Sequence, residues 1–428
     1  MKLRLSKGTK DYLPEEQIVR EKIKATLQKV FACYGFAPLE TPILEMKDIL
    51  ASKYAGGAEI LKEMFTLTDQ GKRDLALRYD LTVPLARVIG MNPSLRMPFK
   101  RYEIGRVFRD GPIKLGRLRE FWQCDIDVVG SDDPYYDAEL LALACDGLNA
   151  LGLKAYLEVN NRKLLTGIIQ DAGIPSEFAN STILSIDKLK KIGEKGVKEE
   201  LIDKGLDKKY FTKLFSFFNL QGSNQQMLSQ LDKKLKSKTA KEGIAEMKKI
   251  FDYVKKLGVK ADIRFVPSLA RGLEYYTGII FEGFAKNSEV TSSICAGGRW
   301  DNMIGQMIGK DKVPATGFAF GLDTLYTALK EKDAKKTLLD VWIVPIKTFD
   351  DCLPILNELR INNVNADIDA KQRSISKNLD YANKEGIPYV LIIGKQELDK
   401  NKVKLKDMVS GEEELLTIQK AIDKIKKL

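Results

Sequence analysis

Between Phe99 and Gly130 the chain reads FKRYEIGRVFRDGPIKLGRLREFWQCDIDVVG, and no other stretch constrains the fold as tightly. Two extended runs, Lys100–Arg109 and Leu118–Val129, are joined by the polar, glycine-bearing loop Asp110–Arg117. Side chains alternate across a strand. Arg101, Glu103, Val107 and Arg109 therefore share one face of the first run, and Gln123, Asp125 and Asp127 share one face of the second. Paired antiparallel, the two runs make a polar floor. A solvated charged face would show the same alternation. The bulky neighbours Phe99, Phe108, Phe121 and Trp122 argue instead that the hairpin is central.

The flanking pattern predicts what surrounds this hairpin. Pro14 opens a helix whose apolar positions Ile18, Ile23, Leu27, Val30, Phe31 and Tyr34 lie on one side, and Gly35 closes it. Pro38 and Pro42 keep Ala37–Leu44 extended. Met64–Thr68 and Leu75–Tyr79 form a hairpin about Asp69-Gln70-Gly71. From about 162 to 250 the chain turns lysine-rich and helical in pattern, the mark of an inserted helical domain. Strand signals resume at Ala261–Val266, Thr277–Phe284, Ser292–Ala296 and Ala315–Phe320, followed by a helix over Leu322–Glu331. After the charged linker Lys330–Thr337, strands and helices alternate, as in a small α/β domain with a largely parallel sheet. The expected organisation is α+β: an antiparallel sheet with flanking helices over 1–330, its helical insertion, and an α/β domain over 338–428. At 428 residues the chain is long enough for two or three cores.

Composition narrows the chemistry. There is no histidine, so schemes built on a histidine base, ligand or pH switch are excluded. Carboxylates, Arg, Lys, Tyr and backbone dipoles must do the work. Five scattered cysteines, never spaced Cys-x-x-Cys, read as reduced thiols rather than a zinc site. A formal charge of +11 is compatible with a polyanionic partner. No apolar run reaches membrane-span length, and Met1-Lys2-Leu3-Arg4 lacks the apolar block of a secretory signal. A cytoplasmic location is the expectation.

Several blocks, taken in order, resemble histidyl-tRNA synthetases, and the motif around the central hairpin is similar to that of the archaeal and eukaryotic branch. They are Leu77-Arg78-Tyr79-Asp80-Leu81-Thr82-Val83-Pro84, then Arg109 with Gly116-Arg117-Leu118-Arg119-Glu120-Phe121 as motif 2. Leu269-Ala270-Arg271-Gly272-Leu273-Glu274-Tyr275-Tyr276-Thr277-Gly278 and Ala296-Gly297-Gly298-Arg299-Trp300-Asp301 resemble the two histidine-specific segments, the second with Trp where Tyr is usual. The opening helix and Pro42 look like motif 1, which forms the dimer interface in class II synthetases, and Gly317-Phe318-Ala319-Phe320-Gly321-Leu322 resembles motif 3. The carboxyl-terminal region is similar to the family's anticodon-binding domain.

The resemblance implies a class II synthetase fold, activation of L-histidine by ATP with Mg²⁺ on the phosphates, transfer to tRNA(His), and a homodimer. It assigns Arg109 to the α-phosphate with Arg271 opposite, the two catalytic cations. Asp127 would accept the imidazole proton, with Tyr275 and Tyr276 on the ring. Asp80, Thr82 and Gln123 would hold the ammonium end, and Leu81 lies in the same histidine-binding block. Asp110, Arg117, Arg119, Gly297, Gly298 and Gly321 would line the ATP site. A simple turn is the other reading of the two adjacent glycines. The chemistry agrees with the assignment of arginines. Adenylation gathers negative charge on the α-phosphoryl oxygens, and a guanidinium stays charged and can grip two oxygens at once. Two positions depart from the family pattern. Thr324 stands where motif 3 ends in an Arg for the γ-phosphate, and Asp110 is the one acidic candidate for the adenine amine. A histidine-binding regulatory paralogue that does not charge tRNA, and a plain nucleic-acid-binding module, are the competing functions.

Overall fold

The computed structural model describes residues 2–51, 61–114, 116–271, 275–310, 312–329 and 335–427. Two compact units emerge, residues 1–10 with 23–330 and residues 11–22 with 331–428. The first helix runs Pro14–Cys33, and Gly35 just beyond it takes φ +75°. Proline at the first helical position loses no hydrogen bond, and glycine adopts the left-handed turn without strain.

In the first unit the strands, in chain order, are β1 Ala37–Pro38, β2 Leu44–Met46, β3 Thr66–Thr68, β4 Asp74–Leu77, β5 Phe99–Phe108, β6 Glu120–Val129, β7 Ala155–Asn161, β8 Ile263–Phe265, β9 Ile279–Ala285, β10 Cys295–Arg299 and β11 Ala315–Gly321. Eight of them form one sheet in the order β1-β5-β6-β11-β10-β9-β7-β8, while β2, β4 and β3 form a small sheet of their own. Every pairing from β5 to β7 across the large sheet is antiparallel, and only the edge pairs β1–β5 and β7–β8 are parallel. The hairpin β5–β6 pairs over its full length, from Phe99 opposite Val129 to Phe108 opposite Glu120, as its alternation predicts. The even-numbered residues Cys124, Ile126 and Val128 are fully buried on the other side. Helix Pro134–Ala150, capped by the Asp133 side chain, packs on β7, β10 and β11.

Between β7 and β8 the chain runs through helices Arg162–Ala172, Ala179–Ile186, Leu189–Asp203, Phe211–Phe218, Asn224–Lys234 and Lys238–Lys256, without a strand. The first and last cross backbone to backbone. A Cβ on Gly243 would lie 2.4 Å from Leu164 N, so only glycine permits the approach.

One element differs from its sequence reading. The strand expected over Ser292–Ala296 is β10, Cys295–Arg299, and Gly297-Gly298 is strand interior rather than a turn. β10 hydrogen-bonds to β9 on one side and β11 on the other, and this double pairing outweighs the weak strand preference of glycine. Gly272, Leu273, Glu274, Leu115, and the end of the helix and linker expected around 330–334 lie outside the described residues.

The second unit continues the numbering with β12 Val341–Pro345, β13 Ala366–Ile368, β14 Tyr389–Ile393, β15 Val403–Asp407 and β16 Glu413–Leu416, in the order β13-β12-β14-β15-β16. The first three are parallel, the last two antiparallel. β12 is buried on both faces. Val341 and Ile343 enter a core with Leu359, Leu391 and Ile422, while Trp342 and Val344 enter another with Ala382 and Val390. Burial on both faces is what a continuous apolar run in a parallel strand means. Among the described residues no helix is long and apolar enough to cross a membrane.

Candidate active site

Strand register lays two rows of residues across one face of the large sheet. Arg101, Asp127, Gly317, Gly298 and Ile280 are successive partners in the first row. Glu103, Asp125, Ala319, Ala296, Glu282 and Glu158 follow in the second. The middle of both rows, on β11 and β10, is glycine and alanine. Three interstrand steps of about 4.8 Å separate β6 from β9. A shallow strip without large side chains therefore runs between the carboxylates of β6 and Glu282 of β9. Gly317 is required by its neighbour: a Cβ there would stand 1.9 Å from Asp127 Oδ1. Gly298 shares this face, since its Cβ would meet the Tyr276 ring at 3.0 Å. Gly297 points the other way, and its Cβ would strike Gly317 O at 2.2 Å. Its small size serves strand packing.

The carboxylate end of the strip is organised by buried arginines. Arg101 Nη2 lies 2.8 Å from Asp127 Oδ2, a close ion pair without hydrogen-bond alignment, and donates to Leu81 O at 2.9 Å. Arg78 Nη1 donates to Glu103 at 2.8 Å and to Thr41 O at 2.7 Å, anchoring the strand beneath. Burial pushes the Asp127 carboxyl above the ordinary carboxylate range; Arg101 opposes this, and the charges of Asp80 and Glu103 add to it. Asp125 is pushed up too, chiefly by burial, with Arg101 opposing and Asp127 reinforcing. Gln123 Oε1 and Asp125 Oδ1 are buried without hydrogen-bond partners. Such atoms each cost about 1–3 kcal/mol, and a ligand bearing N–H donors would relieve it.

Asp80, Leu81 and Thr82 stand at the start of helix Thr82–Met91. Asp80 Oδ1 accepts from Val83 N at 3.1 Å, so one carboxylate oxygen serves as a helix cap. Leu81 contributes its backbone carbonyl, and its side chain is core. Arg109 donates from Nε to Tyr79 O at 2.9 Å and lies 5.3 Å over the Phe121 ring. Burial disfavours its charge, which Asp80 supports. On the far side Arg271 Nη1 meets Glu282 Oε1 at 3.2 Å, and its guanidinium lies 5.5 Å over the Tyr276 ring. Burial works against that charge too, but Tyr276 and Glu282 hold it above the ordinary guanidinium range. Tyr275 and Tyr276 have hydroxyls 3.5 Å apart. Tyr275 is close enough to Arg109, Asp80 and Arg271 to bear on the charge of all three. Asp80, Tyr275 and both arginines thus stand near one another beside the strip.

The loop residues occupy its rim. Asp110 and Arg119 pair at 2.8 Å, and Arg119 N donates to Gly8 O at 2.8 Å, so both tie down the loop base. Arg117 is exposed. Gly321 passes its carbonyl to the Thr324 hydroxyl at 2.8 Å. Thr324 is nearly buried, and Gly116 sits against it: a Cβ on Gly116 would be 3.5 Å from Thr324 Cα. The loop thus fills the space beside the position where an arginine was expected. Arg299 and Asp301 of the second histidine-specific block do not face the strip. They form a buried cluster with Asp137, whose carboxylate Arg299 grips twice at 3.0 Å.

Glu282 and Glu158 carried no weight in the sequence reading. Their one local signal is a charged residue at alternate positions of an otherwise buried strand, Phe281-Glu282-Gly283 and Leu157-Glu158-Val159. That they are neighbours follows only from β7 pairing with β9.

A family model described as histidyl-tRNA synthetase matches residues 8–325, and one described as an anticodon binding domain matches residues 340–428. Histidine–tRNA ligase 1 of Bacillus anthracis is 46% identical over 415 residues, covering 96% of this chain and 97% of that protein. A histidine–tRNA ligase of Clostridium tetani is 36% identical over 431 residues, with 98% and 97% covered. The crystal structure of histidyl-tRNA synthetase from a Nostoc species superposes with a TM-score of 0.89 at 30% identity, covering 100% of this chain and 99% of that one.

Proposed function

The chain belongs to the histidyl-tRNA synthetase family and is a histidine–tRNA ligase, and from that premise we propose how its own residues divide the work. The observation that carries the proposal is the strip itself, a floor without large side chains that has Asp127 and Gln123 at one edge and Arg271 at the other. L-Histidine lies at the β6 end. Asp127 accepts an imidazole N–H, Tyr275 and Tyr276 enclose the ring, and Gln123, with Asp80 and Thr82, receives the ammonium. A pocket that leaves its acceptors unpaired with the wrong side chain rejects apolar isosteres without an editing site.

Adenylation then proceeds by attack of a histidine carboxylate oxygen on the α-phosphorus of ATP. The bond to the bridging oxygen breaks, and pyrophosphate leaves. Arg109 and Arg271 stabilise the charge that develops on the α-phosphoryl oxygens from two sides. Gly298 lets the nucleotide lie flat on the strip. Arg117, Arg119, Asp110 and Gly321 belong to its rim. In the second step a terminal ribose hydroxyl of tRNA(His) attacks the acyl carbon, and AMP departs.

Three acidic side chains of the floor are engaged, Asp127 with Arg101, Glu103 with Arg78 and Glu282 with Arg271. Among the described residues no group of three acidic, His or Cys side chains is placed to hold a metal. These residues fit Mg²⁺ brought in on the triphosphate, where it would offset phosphate charge.

The domains follow the same reading: residues 1–330 as the catalytic domain with its insertion at about 162–250, and 338–428 as the anticodon reader. We place the enzyme in the cytoplasm as a homodimer. The exposed Leu44, Met46 and Leu67 of the small sheet offer apolar area for a second copy. The narrower likeness to the archaeal and eukaryotic branch finds no support, because the relatives named above are bacterial. Nothing among them favours a regulatory paralogue. ATP–pyrophosphate exchange with each of the twenty amino acids tests the reading: histidine alone should drive exchange. Exchange driven equally by another amino acid would overturn it.

A further inference from the structure

Glu158 on β7 and Glu282 on β9 are register partners, so two carboxylates stand side by side on the face that carries the strip. Like charges directly opposite each other repel. Each has its own cation. Glu282 meets Arg271 at 3.2 Å, and Glu158 is bridged by the ammonium of Lys190, which also lies 4.2 Å over the Phe284 ring. Arg264, the β8 partner of Glu158, is committed elsewhere. It grips Asp262 through two nitrogens at 2.9 and 2.6 Å and stacks on Tyr156. Lys190 comes from the inserted segment, at the start of helix Leu189–Asp203, and Gly193 breaks that helix with φ +69° and ψ 174°. Residues 189–192 are therefore a short piece joined to the rest of the helix through a glycine.

We infer that Lys190 is a positioning residue for Arg271, holding Glu158 so that Glu282 is the one carboxylate of the pair that directs the arginine's guanidinium. The inference rests on the reading that Arg271 acts at the α-phosphate. Three carboxylates, Glu158, Glu282 and Asp187, share this corner with the two cations Arg271 and Lys190. Burial raises the Glu282 carboxyl; Arg271 and Lys190 oppose that, and Asp187 and Glu158 add to it. Taking Lys190 away leaves two adjacent carboxylates competing for one guanidinium and turns it toward β7, off the strip. The inserted segment thereby gains a direct hold on the adenylation site through one side chain.

Exchange kinetics of the full chain, with melting curves alongside, test this. Lys190→Met keeps the stem and removes the charge; its kcat for adenylate formation should fall about tenfold while KM for histidine stays within about twofold, the size of an ordinary coupling between neighbours. Lys190→Arg should restore the rate. Adding Glu158→Gln to Lys190→Met should return it to the level of Glu158→Gln alone, because the competing charge is gone. A normal kcat in Lys190→Met, or a slow one that Glu158→Gln does not rescue, overturns the inference. Arg271→Lys separates the two readings. If it is slow and Lys190→Met is not, only the role of Lys190 fails; if Arg271→Lys is itself unimpaired, the reading of Arg271 fails with it.

Discussion

The Arg101 guanidinium stands 2.8 Å from the Asp127 carboxylate and donates from the same nitrogen to the Leu81 carbonyl at 2.9 Å. One fully buried cation thus joins β6 to the turn ahead of helix Thr82–Met91. Breaking a buried pair by deleting one partner costs about 3–5 kcal/mol, because the other charge stays behind. Arg101→Met should therefore lower stability by that amount in urea titrations and raise KM for histidine in the protein that folds. Asp127→Asn keeps the shape and should reduce kcat/KM for histidine by about a hundredfold or more, the penalty for a misplaced donor in a polar pocket. An unimpaired Asp127→Asn enzyme would remove Asp127 from the site.

The raised Asp127 carboxyl has a pH consequence. If only the carboxylate accepts the imidazole N–H, kcat/KM for histidine should fall with acid at a higher pH than an ordinary aspartate, near 3.9, would allow. The stability effect has the opposite direction. A carboxyl whose folded pKa is raised contributes stability below its unfolded pKa and loses it as pH rises through the folded value. Wild type should therefore lose stability relative to Asp127→Asn as pH rises from the ordinary aspartate value through the raised one. Urea midpoints of both proteins across that range measure the slope, and a wild type gaining on the variant as pH rises would contradict the assignment.

The rim raises the question of the missing motif 3 arginine. Gly116 rests on Thr324, so the neighbouring Arg117 is carried toward the end of β11. We expect Arg117→Ala to raise KM for ATP about tenfold, with KM for histidine unchanged, as for the loss of one charged contact to phosphate. Arg106→Ala, which removes an exposed cation paired with Glu120, is the control and should leave both constants alone. Equal effects of the two would return Arg117 to the general surface charge.

Adenylate formation and tRNA charging should separate as salt rises. The chain carries a formal charge of +11, and binding a polyanion through such charge releases counterions. Charging at subsaturating tRNA should fall steeply between about 50 and 200 mM salt, the range over which such contacts weaken. Pyrophosphate exchange should change far less. Parallel loss of both would point to an effect on the fold instead.

What could be read in advance was whatever depends on local order. Alternation in one strand put Gln123 and Asp127 on a common face, and proline with glycine bounded the first helix, because both signals lie within a few residues. The α+β organisation followed from such patterns. The pairing of Glu158 with Glu282, and of Lys190 with Glu158, depends on which distant strands become neighbours and where an insertion docks. No local pattern carries that information. Gly297 and Gly298 show the same limit: two adjacent glycines suggest a turn, and only flanking strands on both sides keep them extended. Arg101 was visible on the polar face, yet its double hold on Asp127 and Leu81 needed the hairpin and the 80–82 turn together.

The last prediction concerns Arg271, which distinguishes a catalyst from a binder. Its guanidinium is steered by Glu282 on one side and the Tyr276 ring on the other, so its plane is fixed before any substrate arrives. Its Nε is buried without a hydrogen-bond partner, leaving a donor for an incoming oxygen. If that donor and the charge act on the α-phosphoryl oxygens, their contribution appears mainly as charge develops. Lysine keeps the charge and loses the planar fork. Removing one such preorganised donor costs about a hundredfold in rate, roughly 3 kcal/mol. Arg271→Lys should therefore slow adenylate formation by about that factor with little change in KM for histidine, which pre-steady-state kinetics can measure directly. A merely bracing role predicts something else: a lower melting temperature, because Glu282 would lose its aligned partner, with kcat preserved in the molecules that remain folded. Melting curves recorded on the same preparation separate the two outcomes, and a preserved kcat would assign Arg271 to the scaffold.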